Sequence, residues 1–296
     1  MSPIITSLQE VTWHEITVVA PKPAKYNIFY KVTPDDQVYF GQSMKSKEEI
    51  TVDECMAALQ HIDDAEIYPP VPPDYSLTIA PAHLTDASAF VKRPGLVSYQ
   101  ELKGTSYIPQ AVLDETLIME TLFRSPHANI VTYYGCRVQR GRITALFFER
   151  LDQTLYQYAL TPRFHQLDKA RFMQELSSTV AHIHKLGLAH NDLNPSNIMV
   201  RDGLPVLIDF GSSQLVGRRI QSLGSPGWYK DKFYTSEKEH DIYALGLLER
   251  WLQNPVRPGR ESELGLWVSN INLLFYVLIR FILPYNVLFT IMFLLI

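Results

Sequence analysis

Three oxygen-bearing side chains, Asp192, Asn197 and Asp209, follow one another at spacings of five and twelve residues. Asp192 and Asn197 lie in a proline-containing stretch, and Asp209 ends the second of two strand-like runs joined by a turn at residues 200–203. A helix, a polar loop and a hairpin would bring the three groups to one end of a small sheet. One carboxylate could then orient a hydroxyl nucleophile while hard oxygen ligands hold Mg²⁺ against phosphates. The pattern therefore favours phosphoryl transfer.

The elements that must position this polar loop have clear sequence signals. A helix is predicted from Asp168, a suitable N-cap, with Gly187 just past its end. A second helix is predicted around residues 237–252. Before about residue 150, short strand-like runs dominate, interrupted by one helix near residues 110–123. A strand-rich part followed by a helix-rich part predicts an α+β fold with a strand-rich small lobe, a helix-rich large lobe and a cleft between them.

The first 68 residues have the pattern of a separate α/β appendage. Residues 11–20 and 26–33 predict strands, and residues 51–62 have helical spacing. Four prolines then occupy five positions from Pro69 to Pro73, which excludes a helix or a central strand and predicts a stiff linker. The expected organisation is an N-terminal appendage (1–68), a proline-rich linker (69–76), a small lobe with its hinge (77–151), an incomplete large lobe (152–265) and a hydrophobic tail (266–296).

Composition narrows the class of protein. The chain carries 27 Lys and Arg against 31 Asp and Glu, a net charge of −4, which gives no reason to expect nucleic-acid binding. Cys55 and Cys136 cannot make a disulfide framework, and no cysteine spacing suggests zinc. The N-terminus lacks the basic and apolar regions of a secretory signal. We therefore expect a cytoplasmic protein.

The polar loop resembles the catalytic segments of eukaryotic-type protein kinases, in particular the kinase-like proteins that are numerous in fungi. Residues 190–197 read HNDLNPSN and resemble HRDLKPxN, and residues 209–211 read DFG. The likeness covers roughly residues 88–252. Further segments resemble the family's motifs in the same order: Ala89–Lys92, Glu115–Met119, Ser125–Val131, Leu146–Leu151, Gly224–Trp228 and Asp241–Gly246.

The resemblance implies a two-lobed protein-kinase-like fold that moves the γ-phosphate of ATP to a Ser or Thr hydroxyl of a protein, with Mg²⁺. It implies that Asp192 is the catalytic base and that Asn194 contacts phosphate beside it. Asn197 and Asp209 would be the Mg²⁺ ligands, and Asp241 would brace the loop backbone. The residues implied to bind the nucleotide are Lys92, Glu115, Glu149, Leu151 and Met199.

Three departures from the family pattern keep other functions open. Residues 78–88 contain no glycine where the family has a glycine-rich loop over the phosphates, Asn191 replaces an arginine, and Asn194 replaces a lysine. A pseudokinase that acts as a binding or scaffold module is the first alternative. A small-molecule kinase of the aminoglycoside or choline type is the second, against which the complete DFG sequence and residues 224–227 argue.

The C-terminal end forms a further open question. Only 44 residues follow Leu252, and from Ile271 to Ile296 the only charged residue is Arg280. About twenty apolar residues can span a bilayer, although a central arginine opposes insertion. Three interpretations stay open: a membrane anchor, a buried core helix, or translated non-coding sequence after about Gly265. Contact with a membrane is expected only through residues 271–296, and the large lobe is expected to be truncated or aberrant.

Overall fold

The computed structural model of the protein describes residues 4–18 and 24–255. The chain divides into two compact units. Of the described residues, the first contains those up to Leu84 with Val91–Leu113 and Tyr134–Phe147. The second contains Thr85–Phe90, Asp114–Tyr133 and residues 148–255.

Eleven strands and seven α-helices occur in the described part of the chain, with two short 3₁₀ helices at Leu8–Glu10 and Pro162–Gln166. The strands are β1 (Thr12–Val18), β2 (Ala24–Val32), β3 (Val38–Ser43), β4 (Gln60–His61), β5 (Phe90–Lys92), β6 (Tyr133–Gln139), β7 (Arg142–Phe148), β8 (Leu188–Ala189), β9 (Ile198–Arg201), β10 (Leu204–Leu207) and β11 (Gln214–Leu215). The helices are α1 (Val52–Ala58), α2 (Asp64–Ile67), α3 (Tyr99–Leu102), α4 (Tyr107–Arg124), α5 (Leu155–Tyr158), α6 (Lys169–Lys185) and α7 (Lys238–Gln253).

The N-terminal part of the first unit is an antiparallel sheet in the order β1-β2-β3-β4. The strands predicted at 11–20 and 26–33 are confirmed as β1 and β2. The predicted helix at 51–62 exists as α1, which Thr51 begins with a capping box, but it ends at Ala58. It is shorter than expected because Leu59 adopts an extended conformation and the next two residues pair with β3.

The proline-rich segment lies along β7 in the same unit. The amide of Ile143 donates to the carbonyl of Pro69 at 3.0 Å, and the amide of Val71 donates to the carbonyl of Gly141 at 3.1 Å. Pro70 lies between them and needs no donor of its own. Residues before and after the prolines therefore belong to one compact unit; the division into appendage, linker and lobes stays a prediction.

A second sheet of the first unit has the order β5-β7-β6. Residues 78–80 add to it by pairing in parallel with β6, where the Cys136 amide donates to the Thr78 carbonyl at 2.8 Å. This approach requires glycine at position 135, whose φ is +119° and where a Cβ would lie 2.5 Å from the Thr78 carbonyl oxygen. The segment without glycines is thus held against β6 by backbone hydrogen bonds.

The second unit contains the helices α5, α6 and α7 and carries the predicted loop. Asp168 caps α6 by accepting from the Arg171 amide, and Gly187 follows the helix with φ +77°. The buried face of α6 includes the predicted Phe172, Leu176, Val180 and Ile183. The sheet-rich first part and the helix-containing second part confirm the predicted α+β class.

The C-terminal end is described only as far as residue 255. Across 4–18 and 24–255, none of the helices combines the length and the apolar character needed to cross a bilayer. The tail predicted at 266–296, its membrane contact and the end of the large lobe lie outside the described residues.

Candidate active site

Asp241 fixes the backbone of the loop at residues 190–197 from the first turn of α7. This carboxylate is fully buried and accepts from the amides of His190 and Asn191, at 2.8 Å each. It also bonds Nε2 of His184 at 2.8 Å. A buried carboxylate with three donors is satisfied, and it holds the start of the loop in one conformation. The contact with the loop backbone matches the role that the resemblance implied for Asp241.

His190 is a packing residue beneath the loop. Its ring lies edge-on to Phe210 at 5.1 Å, and both residues are buried. Nε2 bonds the carbonyl of Ile208 at 3.1 Å, while Nδ1 accepts from the Asp192 amide at 3.3 Å. These bonds require the tautomer with the proton on Nε2. The histidine therefore joins the loop to the strand end that precedes Asp209.

Asn191 ties the two ends of the segment at residues 212–236 to the loop. It has a left-handed backbone, with φ +63°, which asparagine tolerates better than most residues. Its Nδ2 group lies 3.0 Å from the Ser212 carbonyl and 3.0 Å from Oγ of Ser236. It also reaches the Ala189 carbonyl at 3.2 Å. Sequence reasoning noted only that arginine is missing here, because the partners are distant in the chain.

Asp192 lies among hydrogen-bond donors. Its Oδ2 accepts from Nδ2 of Asn197 at 2.9 Å, and its Oδ1 accepts from Nδ2 of Asn194 at 3.0 Å. The amide of Ser225 also donates to Oδ1, at 2.6 Å. Burial raises the pKa of the Asp192 carboxyl above its usual range, although the Ser225 amide opposes the shift. Such a carboxylate is fixed in direction and is a stronger base than an exposed aspartate.

Asn194 links Asp192 to the segment that contains Ser225. Nδ2 of Asn194 also lies 3.2 Å from Oγ of Ser225, and its Oδ1 accepts from the Ser196 amide at 2.8 Å. The side chain is buried. Both ends of the amide therefore have partners in the loop. Asn194 is well placed to orient Asp192, and it brings no charge to the site.

Asn197 and Asp209 supply a donor set that suits Mg²⁺. The Ile208 amide bonds the Asn197 carbonyl at 3.0 Å, so the residue before Asp209 is held against Asn197. Nδ2 of Asn197 is engaged by Asp192, which turns the amide oxygen away from that carboxylate. One amide oxygen and one carboxylate are hard ligands that Mg²⁺ accepts when phosphates and water complete its shell. Among the described residues there is no cluster of three or more His, Cys, Asp or Glu side chains that could hold a metal alone.

The residues implied to bind nucleotide are distributed over both units. Lys92 ends β5 in the first unit, whereas Glu115 lies buried on α4 in the second, and their pairing stays a prediction. Met199 is buried on β9, and Leu151 is half-buried.

The side chain of Glu149 is already engaged within the second unit. It bonds Nη1 of Arg201 at 2.7 Å and the amide of Thr132 at 2.8 Å. A contact of Glu149 with a nucleotide would therefore use its backbone.

A pocket that sequence reasoning missed opens beside Asp192. It is small, with room for about one water molecule, and its lining includes Asp192, Gly224, Ser225, Trp228, Tyr229 and Phe233. The sequence did contain a signal for this pocket, because Tyr229 and Phe233 follow closely after Gly224–Trp228, a segment that resembles a motif of the family.

Comparison with known proteins gives one family match and several similar proteins. The model of the family described as "Protein kinase domain" matches residues 95–261. The chain is similar to the serine/threonine-protein kinase/endoribonuclease IRE1 of Hypocrea jecorina, with 31% identity over 33% of this chain and 9% of the relative. It is similar to the mitogen-activated protein kinase HOG1 of Ustilaginoidea virens, with 26% identity over 55% of this chain and 44% of the relative.

A third relative is homeodomain-interacting protein kinase 1 of Mus musculus, with 30% identity over 44% of this chain and 12% of the relative. The aligned region thus spans less than half the length of each of these curated relatives.

Proposed function

The chain belongs to the protein kinase family, and from that premise we propose that it transfers the γ-phosphate of ATP to a Ser or Thr hydroxyl of a protein. The observation that carries the proposal is the Asp192 carboxylate, oriented by Asn194, Asn197 and the Ser225 amide and bordered by a small pocket. A substrate hydroxyl entering that pocket would meet a fixed acceptor for its proton.

Each polar residue of the loop has a separate task in this mechanism. Asp192 orients the hydroxyl and accepts its proton, and its raised pKa makes this transfer more favourable. Asn194 holds Oδ1 of Asp192 in direction, and a contact of its Nδ2 group with phosphate would replace the bond to Oγ of Ser225. Asn197 and Asp209 would hold Mg²⁺, which when bound neutralises charge on the phosphates.

The nucleotide would be held by residues that include Lys92, paired with Glu115, and by Leu151 and Met199 at the adenine. The backbone of Glu149 would contribute there as well. No glycine occurs in residues 78–88, so we propose that Lys92 and Mg²⁺ provide most of the grip on the phosphates. In this scheme residues 77–151 serve as the small lobe and residues 152–265 as the large lobe.

The test is transfer of labelled γ-phosphate from Mg-ATP to mixed protein substrates by the full chain. Asp192→Asn removes the proton acceptor and should abolish transfer. The matched control is Asp202→Asn, because Asp202 is exposed in the β9–β10 turn of the same unit and its positive φ suits asparagine.

Equal transfer by the parent protein and by Asp192→Asn would refute the proposal. So would ATP binding without any transfer, which would identify a pseudokinase. Phosphorylation of small alcohols in place of proteins would identify the small-molecule class.

A further inference from the structure

Asp36 is a buried charge in the first unit, at the turn between β2 and β3. It has a left-handed backbone, with φ +59°, and its side chain is fully buried. A buried carboxylate costs several kcal/mol unless charged or polar groups surround it. Its partners therefore show which part of the molecule the turn is built to contact.

The partners of Asp36 come from the sheet β5-β7-β6 and from the residue that follows β5. Oγ1 of Thr144 on β7 donates to Oδ2 at 2.7 Å. Nη1 of Arg137 on β6 lies 3.4 Å from both carboxylate oxygens. Nε of Arg93 lies 3.5 Å from Oδ1. We call these four residues, Asp36, Arg93, Arg137 and Thr144, the Asp36 cluster.

Neighbouring contacts repeat the same charge arrangement. Arg140, in the β6–β7 turn, forms a two-point ion pair with Asp64, at 2.5 and 3.1 Å, and donates to the Asp35 carbonyl at 2.7 Å. The hydroxyl of Tyr68 donates to the Asp36 carbonyl at 2.9 Å. In these contacts the cations come from residues 93–140, and the carboxylates come from residues 36–64. Residues 35–68 are therefore fitted to this sheet by complementary charge.

The Asp36 cluster acts at the weakest element of the sheet. β5 has only three residues, and in the part of the chain that the structure describes it pairs with one strand, β7, at the edge of the order β5-β7-β6. Residues 78–80 pair with β6 and not with β5. Short edge strands open easily. Arg93 immediately follows β5, and its ion pair with Asp36 gives the end of β5 a second attachment.

We propose that Asp36 is a positioning residue which, through Arg93, holds the neighbouring Lys92 in place to bind the phosphates of ATP. The β2–β3 turn would then be a permanent support of β5, next to a segment that has no glycine-rich loop. The inference rests on the proposed function, because it assigns Lys92 to ATP. The substitution Asp36→Asn keeps the size of the side chain and removes its charge.

The test compares Asp36→Asn with Asp35→Asn in the full chain. Asp35 is exposed and accepts from Oγ1 of Thr33, which asparagine can also do, so it is a matched control one residue away. We expect Asp36→Asn to raise KM for Mg-ATP about tenfold while kcat changes less than twofold. We also expect amide exchange at residues 91–93 to accelerate about tenfold. Asp35→Asn should leave both quantities unchanged.

Arg93→Gln is the second variant, since it removes the attachment to β5 and leaves Arg137 and Thr144 on Asp36. If Asp36→Asn does not fold, Arg93→Gln must still raise KM for ATP and speed exchange at residues 91–93. Unchanged exchange and unchanged KM in a folded variant would overturn the inference.

Failure of the proposed function would look different. The parent protein would transfer no phosphate, yet the exchange comparison would still decide whether Asp36 holds residues 91–93. Faster exchange in both variants would keep Asp36 as the support of β5, and unchanged exchange would reject it.

Discussion

Gly224→Ala should separate the placement of the substrate segment from the stability of the fold. A Cβ at position 224 would lie 2.5 Å from the carbonyl oxygen of Asn191 and 3.3 Å from Oδ1 of Asp192. Ordinary contact for a Cβ begins at 3.4 Å, so the segment must move by 3.4 − 2.5 = 0.9 Å or the loop must yield. The loop is fixed by the buried Asp241, and therefore the segment with Ser225 should move.

The size of the effect follows from that displacement. A shift of about 1 Å in a reacting arrangement can cost a factor of up to about 10² in rate, so we expect kcat/KM to fall 10- to 100-fold. Overpacking by one methyl group should lower the free energy of unfolding by about 1–3 kcal/mol. The assays are phosphoryl transfer to protein and urea unfolding of the same preparations.

Gly246→Ala is the matched control for this prediction. Gly246 lies on α7 with nothing within 4 Å of the added Cβ, so alanine there should stabilise the protein by about 0.5–1 kcal/mol and leave transfer unchanged. Full activity of Gly224→Ala would refute the reasoning, because it would show that the contact of Ser225 with Asp192 does not matter for catalysis.

Three further predictions concern the loop. Asp241→Asn should lower the free energy of unfolding by about 3 kcal/mol in urea titrations, because the three groups that bond the Asp241 carboxylate would lose their charged, buried acceptor. Asn191→Ala should lower kcat by a larger factor than it changes KM. It should also speed proteolysis within residues 212–236, because both ends of that segment lose a hydrogen bond to Asn191; unchanged cleavage would contradict the prediction. The acidic limb of kcat/KM should have its midpoint above the ordinary aspartate pKa of about 3.9, because burial raises the pKa of Asp192. Because the folded-state pKa of Asp192 lies above its unfolded-state pKa, this carboxyl contributes stability below the unfolded-state pKa and loses that contribution as pH rises through the folded-state pKa. Between these two pKa values, the stability of Asp192→Asn relative to the parent protein should therefore increase with pH.

The sequence was most informative where function and local structure coincide. Asp168 and Gly187 marked the limits of α6, and residues 190–211 marked the loop and its hairpin, because caps, turns and catalytic spacing are local signals. The end of α1 was placed four residues too late. Its apolar spacing continued to Ile62, but pairing of β4 with β3 took the last residues out of the helix.

Contacts between distant residues could not be predicted in the same way. Nothing in the sequence around Asp36 names Arg93, Arg137 or Thr144 as its partners, since a buried charge is recognised only after the chain has folded. Ser225 is similar, because its amide acts through the backbone and carries no side-chain signal. The prolines did exclude a helix, but they gave no sign that the segment would lie along β7.

Those prolines have a consequence for solubility. An open sheet edge presents unpaired amides on which another chain can form a strand. Residues 69–71 cover the start of β7, and residues 78–80 cover β6, so strand addition would have to begin on the covering segments. Four of the five residues from Pro69 to Pro73 have no amide hydrogen to offer. The segment therefore ends the hydrogen-bonded ladder at the start of β7 and should protect that part of the sheet against the addition of a further strand.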